Sequence, residues 1–480
     1  MVTPVQQQAV DDITNKLDSS GLFNTVTHDE MNDIAERLRG LNATDADAVI
    51  DELQRTGQLD RLAEEAVDGD WFGNGGYSTD ERRDLFNDLA GKLGGQSLAT
   101  VSNAFARTDD GGDGHSRVTE FADSVSRHAS SQAKVDYIGA LAGSTTDRPD
   151  WHTTNWGTPA MHESDAEAAS IATVLGSLRG SYAEDGFNKL AGNPDQLRAV
   201  FQAGIDQSST STGGTQMVDW NTDRASGMFD AAASIGDADL KAHIFDAGVD
   251  TMRTIRDIPT VGLGVNAPGR DEALRAVGDG LTKIIDSDTT GVIRELTYNQ
   301  STADGSDLAG YAQQLLESGQ EAKLGEIMAK LQFGNGLTDD PAVRLDAVTQ
   351  VTVANGTQDR RENAGALGHF VGSVYAATNA ISQNVAKQQE FVTSILDSAL
   401  SVIDKSGVGG PVAGGAATVA KEWTHYAVRA AIQDPGNSAA TQLERAALPV
   451  NPNTQELGVG DNIRNAFNTV LDHVYRTAQP

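Results

Sequence analysis

Met31-Asn32-Asp33-Ile34-Ala35-Glu36-Arg37-Leu38-Arg39-Gly40 returns as Phe86-Asn87-Asp88-Leu89-Ala90-Gly91-Lys92-Leu93-Gly94-Gly95, with a fainter echo in Phe187-Asn188-Lys189-Leu190-Ala191-Gly192. The apolar residues of the first copy fall at 31, 34, 35 and 38, the spacing of one helix face. A lone amphipathic helix leaves that face in water, so each copy needs a partner helix, and successive copies stack as helix pairs. A second duplication marks the joints. Phe72-Gly73-Asn74-Gly75, followed by Thr79-Asp80-Glu81, matches Phe333-Gly334-Asn335-Gly336, followed by Thr338-Asp339-Asp340. Gly and Asn tolerate the left-handed conformation that ends a helix, Thr caps the next one, and acids suit its first turn. Two different duplications in one chain predict an all-α fold of stacked helix pairs, a helical-repeat-like array.

The pattern extends outward from these copies. Leu274, Val277, Leu281, Ile284 and Ile285 share a helix face; Leu367, Phe370, Val371, Val374, Ile381 and Val385 read as one stripe. Phe391, Ile395, Leu396, Ala399, Val402 and Ile403 make another. Ser164-Asp165-Ala166-Glu167 reads as a capping box. Between 391 and 433 the Gly-rich stretch 406–417 separates two such stripes and predicts a C-terminal helical hairpin. Only Ser208–Trp220, rich in Ser and Thr around Gly213-Gly214, suggests strand, so at most one small β-hairpin is expected.

Composition limits the function. The chain carries 480 residues, no cysteine and a formal charge of −32. Lack of cysteine removes disulfides, thiolate catalysis and Cys-ligated metals. The acidity opposes nucleic-acid binding, which needs clustered Lys and Arg. Net charge is −15 over residues 1–150 (28 acids, 13 bases), −15 over 151–360 (30 and 15) and −2 over 361–480 (10 and 8). This shift gives four segments: an N-terminal helical-repeat domain at 1–146, a Trp/His-rich connection at 147–163, a middle helical domain at 164–360, and a near-neutral C-terminal helical domain at 361–480. The start, Met1 to Gln8, has neither a basic nor an apolar leader region, so synthesis in a cytoplasm without a Sec signal is expected.

Three clusters carry candidate chemistry. His152, His162, Glu163 and Asp165 bring imidazoles and carboxylates together as metal ligands or an acid–base pair, at a spacing that matches no zincin pattern. The bland reading is an ordered loop ending in a helix cap. Asp109, Asp113 and Glu120 occupy positions one, five and twelve of an EF-hand-like loop, with Gly114 at six. Gly111 at position three and Arg117 at nine break the pattern, so any Ca²⁺ binding is weak, and no other cofactor is expected. The hairpin at 391–433 offers membrane contact, although Lys421, Glu422, His425 and Arg429 interrupt its second arm.

The run from Phe72 to Ala90 and the stretch from Ala329 through Gly368 to Lys405 resemble helical modules of bacterial secreted effectors and polymorphic toxin carrier regions. That resemblance implies export by specialised secretion machinery and a chaperone or immunity protein as partner. With the repeats and the composition, the leading expectation is a non-enzymatic helical-repeat protein-interaction module, a bacterial secreted effector or toxin carrier. A cell-wall- or lipid-directed hydrolase using 147–165, and a membrane-active protein using 391–433, are the alternatives.

Overall fold

In the computed structural model, residues 3–18, 26–67, 77–108, 113–144, 163–210, 216–258, 261–262, 265–299, 305–333, 357–405, 415–433, 438–457 and 459–478 are described. They form two units: Met1–Gly236 with Arg256–Ala273, and Asp237–Ile255 with Leu274–Pro480.

The first unit opens with α1 (Pro4–Asp18), α2 (His28–Gly40), α3 (Ala43–Thr56) and α4 (Gln58–Val67). It continues with α5 (Thr79–Lys92), α6 (Gly95–Arg107), α7 (Asp113–His128) and α8 (Ser131–Ser144). Then come α9 (Glu163–Gly176), α10 (Ser181–Ala191), α11 (Pro194–Ile205), β1 (Asp206–Thr210), β2 (Gln216–Trp220) and α12 (Thr222–Ala233).

The two helices that carry the duplicated stretch share one plan. Helices α2 and α5 bury Met31, Ile34, Ala35 and Leu38, and Leu85, Phe86, Leu89 and Ala90. Both open with a reciprocal capping box: Thr27 N–H donates to Glu30 (2.9 Å), and Ser78 N–H donates to Glu81 (3.0 Å). Each such cap contributes about 1 kcal/mol. Both end in the same two-residue joint. Leu41 (φ −79°, ψ 150°) precedes Asn42, and Leu93 (φ −77°, ψ 149°) precedes Gly94, before the next helix begins.

The caps pair Thr27 with Ser78, whereas the sequence match pairs Met31 with Phe86. The match is therefore displaced by about one helical turn, a slip that presents the same face and is invisible to a 3.6-residue period. Ser78, not Thr79, caps α5, and Asp80 and Glu81 sit in the first turn as expected. The Phe-Gly-Asn-Gly runs at 72–75 and 334–336, with Thr338-Asp339-Asp340, lie outside the described residues, apart from Phe333 at the end of a helix.

Stacking follows a two-row rule. Helices α5, α7 and α9 pack in succession, as do α6, α8 and α10, while α3 and α4 both pack on α6. Phe86, Phe105 and Phe121 join α5, α6 and α7, with ring centroids 4.9 and 5.2 Å from Phe86. Their edge-on contacts add about 0.5–1.5 kcal/mol per pair to simple burial. Tyr77 donates to Met31 O (2.5 Å) and Lys92 to Leu38 O (3.0 Å), tying one repeat to the next. A methyl added at Gly91, on the exposed side of α5, would meet nothing within 4 Å. Gly91→Ala is therefore expected to raise stability by about 0.5–1 kcal/mol, read as a higher urea midpoint.

The expected β-hairpin at 208–220 is present as β1 and β2, antiparallel with Asp206 opposite Trp220. A second, two-residue hairpin exceeds that expectation: β3 (Val261–Gly262) and β4 (Val265–Asn266) give a small sheet of order β1-β2-β4-β3. The Gly/Pro character of 258–270 concealed such short strands. Helix α9 begins at Glu163, so Ser164 lies inside the helix and does not serve as its N-cap.

The second unit contains α13 (Ala238–Asp257), α14 (Arg270–Ser287), α15 (Thr289–Tyr298), α16 (Ser306–Glu317) and α17 (Glu321–Phe333), each by the larger part of its length. It ends with α18 (Thr357–Ile381), α19 (Val385–Lys405), α20 (Gly415–Ile432), α21 (Ala439–Ala447) and α22 (Asp461–Thr477). Helix α18 is its axis, packing on α15, α16, α17, α21 and α22. Residues 363–374 are buried all round. The stripe read through Ile381 to Val385 is interrupted: residues 382–384 leave the helix, and Val385 opens α19 at 57% exposure. The α14 face and the α19 stripe are buried as expected, with Phe391 and Val402 at its margins. The fold is all-α apart from the small sheet, and α19 and α20 pack together as the predicted hairpin.

Candidate functional site

A groove of about 670 Å³ crosses one face of the first unit. Its lining comes from four helices: Asp47 and Asp51 of α3, Gly95, Gln96 and Ser97 of α6 with Gly94 before them, Asp136, Gly139 and Ala140 of α8, and Lys189 of α10. The two-row stacking creates it, bringing part of α3, the start of α6, the middle of α8 and the last turn of α10 to one face.

Gly94 and Gly95, from the duplicated stretch, form the floor. A methyl on Gly94 would stand 3.2 Å from Asp47 Oδ2; one on Gly95 would stand 2.5 Å from Asp136 Cβ and from Tyr137 N. The absence of side chains there lets α6 press onto α8 while Asp47 approaches from α3. Asp47 Oδ1 accepts from Gly94 N (2.8 Å), which serves α6 where its own N-cap offers no side chain. Asp136 accepts from Gln132 Nε2 (3.0 Å). The Lys189 stem lies over Gly139, its Cδ 3.3 Å from where a methyl on that glycine would stand. Partial burial, and then the Asp47 carboxylate, push Asp51 above the usual carboxylate range.

Several acids elsewhere on this unit are paired between helices. Arg37 meets Asp12 (3.2 Å), Arg39 meets Asp88 (2.5 Å), Arg61 meets Asp18 (2.7 Å) and Arg107 meets Asp60 (2.6 Å), while Lys16 meets Asp33. Pairs this exposed contribute about 0–1 kcal/mol each, so they neutralise charge more than they stabilise. Among the described residues no such partner serves Asp47, Asp51 or Asp136.

A second constellation lies in the other unit. Asp246, Asp250 and Arg253 share one face of α13 at i, i+4 and i+7, and Asp307 comes from the first turn of α16. Carboxylate oxygens of the three acids lie within 4.8 Å of one another. Arg253 donates to Asp307 (2.9 Å), Asp250 (3.1 Å) and Ser306 O (2.7 Å). Burial, then the Asp246 charge, pushes the Asp307 pKa up to about 8, so at neutral pH its carboxyl keeps a proton and hydrogen-bonds Asp246. Three carboxylates suit a hard cation. Here the guanidinium supplies the positive charge, making the group a proton-sharing acid pair held by an arginine.

The residues singled out from sequence fall largely outside the described side chains. His152 and His162 lie outside the described residues; Glu163 and Asp165 fall in the first turn of α9, where only the backbone is described. Asp109 also lies outside, and Asp113 opens α7. Glu120 accepts from Arg82 (3.1 Å) and Arg117 (3.4 Å). Residues 113–120 are helical, unlike the wrapped course of a twelve-residue calcium loop, so Glu120 serves as an ion-pair acceptor between α5 and α7. In the 391–433 hairpin, His425 lies 3.0 Å from Asp404. Among the described residues no helix is long and apolar enough to cross a membrane.

Comparison with known proteins leaves the fold as the main guide. No family model matches the chain, and no curated protein does. Solved structures do match, among them one described as "A conserved phosphorylation switch controls the interaction between cadherin and beta-catenin in vitro and in vivo". It is 11% identical, with 99% of this chain and 97% of that one covered, at a TM-score of 0.23.

Proposed function

We propose that this chain is a non-enzymatic helical-repeat module that binds partner proteins, and that it serves as a bacterial secreted effector or the carrier region of one. The observation that supports the first part is the groove itself. Four helices of the stack contribute successive stretches of one continuous surface, which a partner segment can lie along. The strongly acidic, cysteine-free composition supports the second part, since such a chain crosses a secretion channel without forming wrong bridges.

Gln96, exposed at the groove, allows a clean test. In affinity capture from its source cells at physiological salt, the wild type retains specific partners. Gln96→Trp plugs the groove and is expected to remove them while leaving the melting curve unchanged. Retention of no partner, or of the same partners by the variant, goes against the reading. For export, a reporter fusion is expected to reach the medium only when the specialised secretion machinery works; equal cytoplasmic retention with and without it contradicts that part.

A further inference from the structure

We propose that α22 is an exchangeable helix: it leaves its seat on α18 and takes the identical seat on a second copy of this chain, pairing two copies by reciprocal exchange. The seat is shaped for one helix. Gly365, Gly368 and Gly372 share a face of α18, and methyls on them would stand 3.3 Å from Val470 Cγ2, 2.5 Å from Phe467 O and 2.7 Å from Val474 Cγ1. The two backbones therefore lie close, and Ile463, Phe467, Leu471 and Val474 fill the seat from α22. Among the described residues the extensive packing of α22 is on α18 alone, so it can depart while the other helix pairs of the unit stay together.

Three features around the seat favour departure. The Tyr475 hydroxyl is buried with no hydrogen-bond partner, and water satisfies it once α22 lifts. Glu444 of α21 feels Asp472 of α22: burial, and then that like charge, push Glu444 above the usual carboxylate range. The connection between α21 and α22 is exposed from 452 to 457 and holds Gln455 at φ 57°, the one non-glycine residue in the left-handed region among the described residues. An extended connection relieves that strain. Residues 448–460 then span about 40 Å, enough to reach a neighbour. A second copy is the occupant that reproduces every contact of the seat, leaving only the connection changed. Charge agrees: residues 361–480 carry −2, against −15 for each of the two preceding segments, so two copies approach there with least repulsion.

The chain has no cysteine, so introduced ones report cleanly. The rings of Tyr375 and Tyr475 meet across the seat with centroids 5.1 Å apart. Tyr375→Cys and Tyr475→Cys are made in separate full chains, mixed at high concentration and oxidised. The expected product is a covalent dimer joining position 375 of one copy to position 475 of the other, located by peptide mass spectrometry. Wild type is expected to dimerise with rising concentration in sedimentation runs. Gly368→Val should form about tenfold fewer dimers, since neither copy's seat then admits α22. One chain carrying both cysteines, oxidised while dilute, should stay monomeric on concentration. The wild-type runs decide the matter should a cysteine variant fold poorly. Wild type that stays monomeric throughout, or a dimer that persists in Gly368→Val or in the oxidised double-cysteine chain, overturns the inference.

Discussion

Gly368→Val is expected to lower the stability of the second unit by roughly 3 kcal/mol, the upper part of the range for overpacking. A methyl at Gly368 would stand 2.5 Å from Phe467 O and 3.4 Å from Leu471 N, both backbone atoms of α22. A backbone carbonyl inside a helix cannot swing away as a side-chain tip can, so the whole helix must move. Gly372, one turn on, is also close to α22, though to a side chain: a methyl there would stand 2.7 Å from Val474 Cγ1. These glycines let α22 seat Ile463, Phe467, Leu471 and Val474 against α18. Urea denaturation checks the size. Tryptic cleavage within α22, appearing before cleavage elsewhere, checks that this helix is the part released. A variant as stable as wild type would show that the close seat of α22 on α18 is wrong.

The second large effect concerns pH. Asp307 holds a proton up to about pH 8 when folded, whereas an unfolded Asp titrates near 4. Between those values the folded state binds the extra proton, so stability falls as pH rises through that window and changes little below it. One proton sets a ceiling of about 1.4 kcal/mol per pH unit. Wild-type stability is therefore expected to fall between pH 5 and pH 8, by no more than this slope allows. Asp307→Asn keeps a donor for Asp246 and has nothing to titrate. It is expected to flatten this slope and to exceed wild type in stability at pH 8. Parallel pH profiles for the two proteins would remove Asp307 as the cause.

How much was legible in sequence depends on where the information sits. The repeat at Met31 and Phe86 was readable because apolar spacing is local, and the same periodicity hid its one-turn offset. Helix α18 was read as a stripe because Leu367, Phe370, Val371 and Val374 dominate it. Its other faces are buried too, through small residues such as Ala364, Gly365 and Ser373 that carry little hydrophobic signal. The groove was not legible. Its carboxylates, floor and lysine are brought together only by stacking from positions 47, 94, 136 and 189. Asp246, Asp250 and Arg253 did stand at helical spacing in an apolar segment. In a chain with 68 acids that signal does not stand out, and Asp307 joins them only through folding.

The claim that the groove is the working surface is tested most directly by hydrogen exchange. The full chain is measured alone and with a saturating partner protein retained in the affinity capture. Slowed exchange at the described amides of 95–97 and 136–140, with α18 and α22 unchanged, is the predicted result. Unchanged exchange along the groove, or protection confined to the second unit, would contradict it.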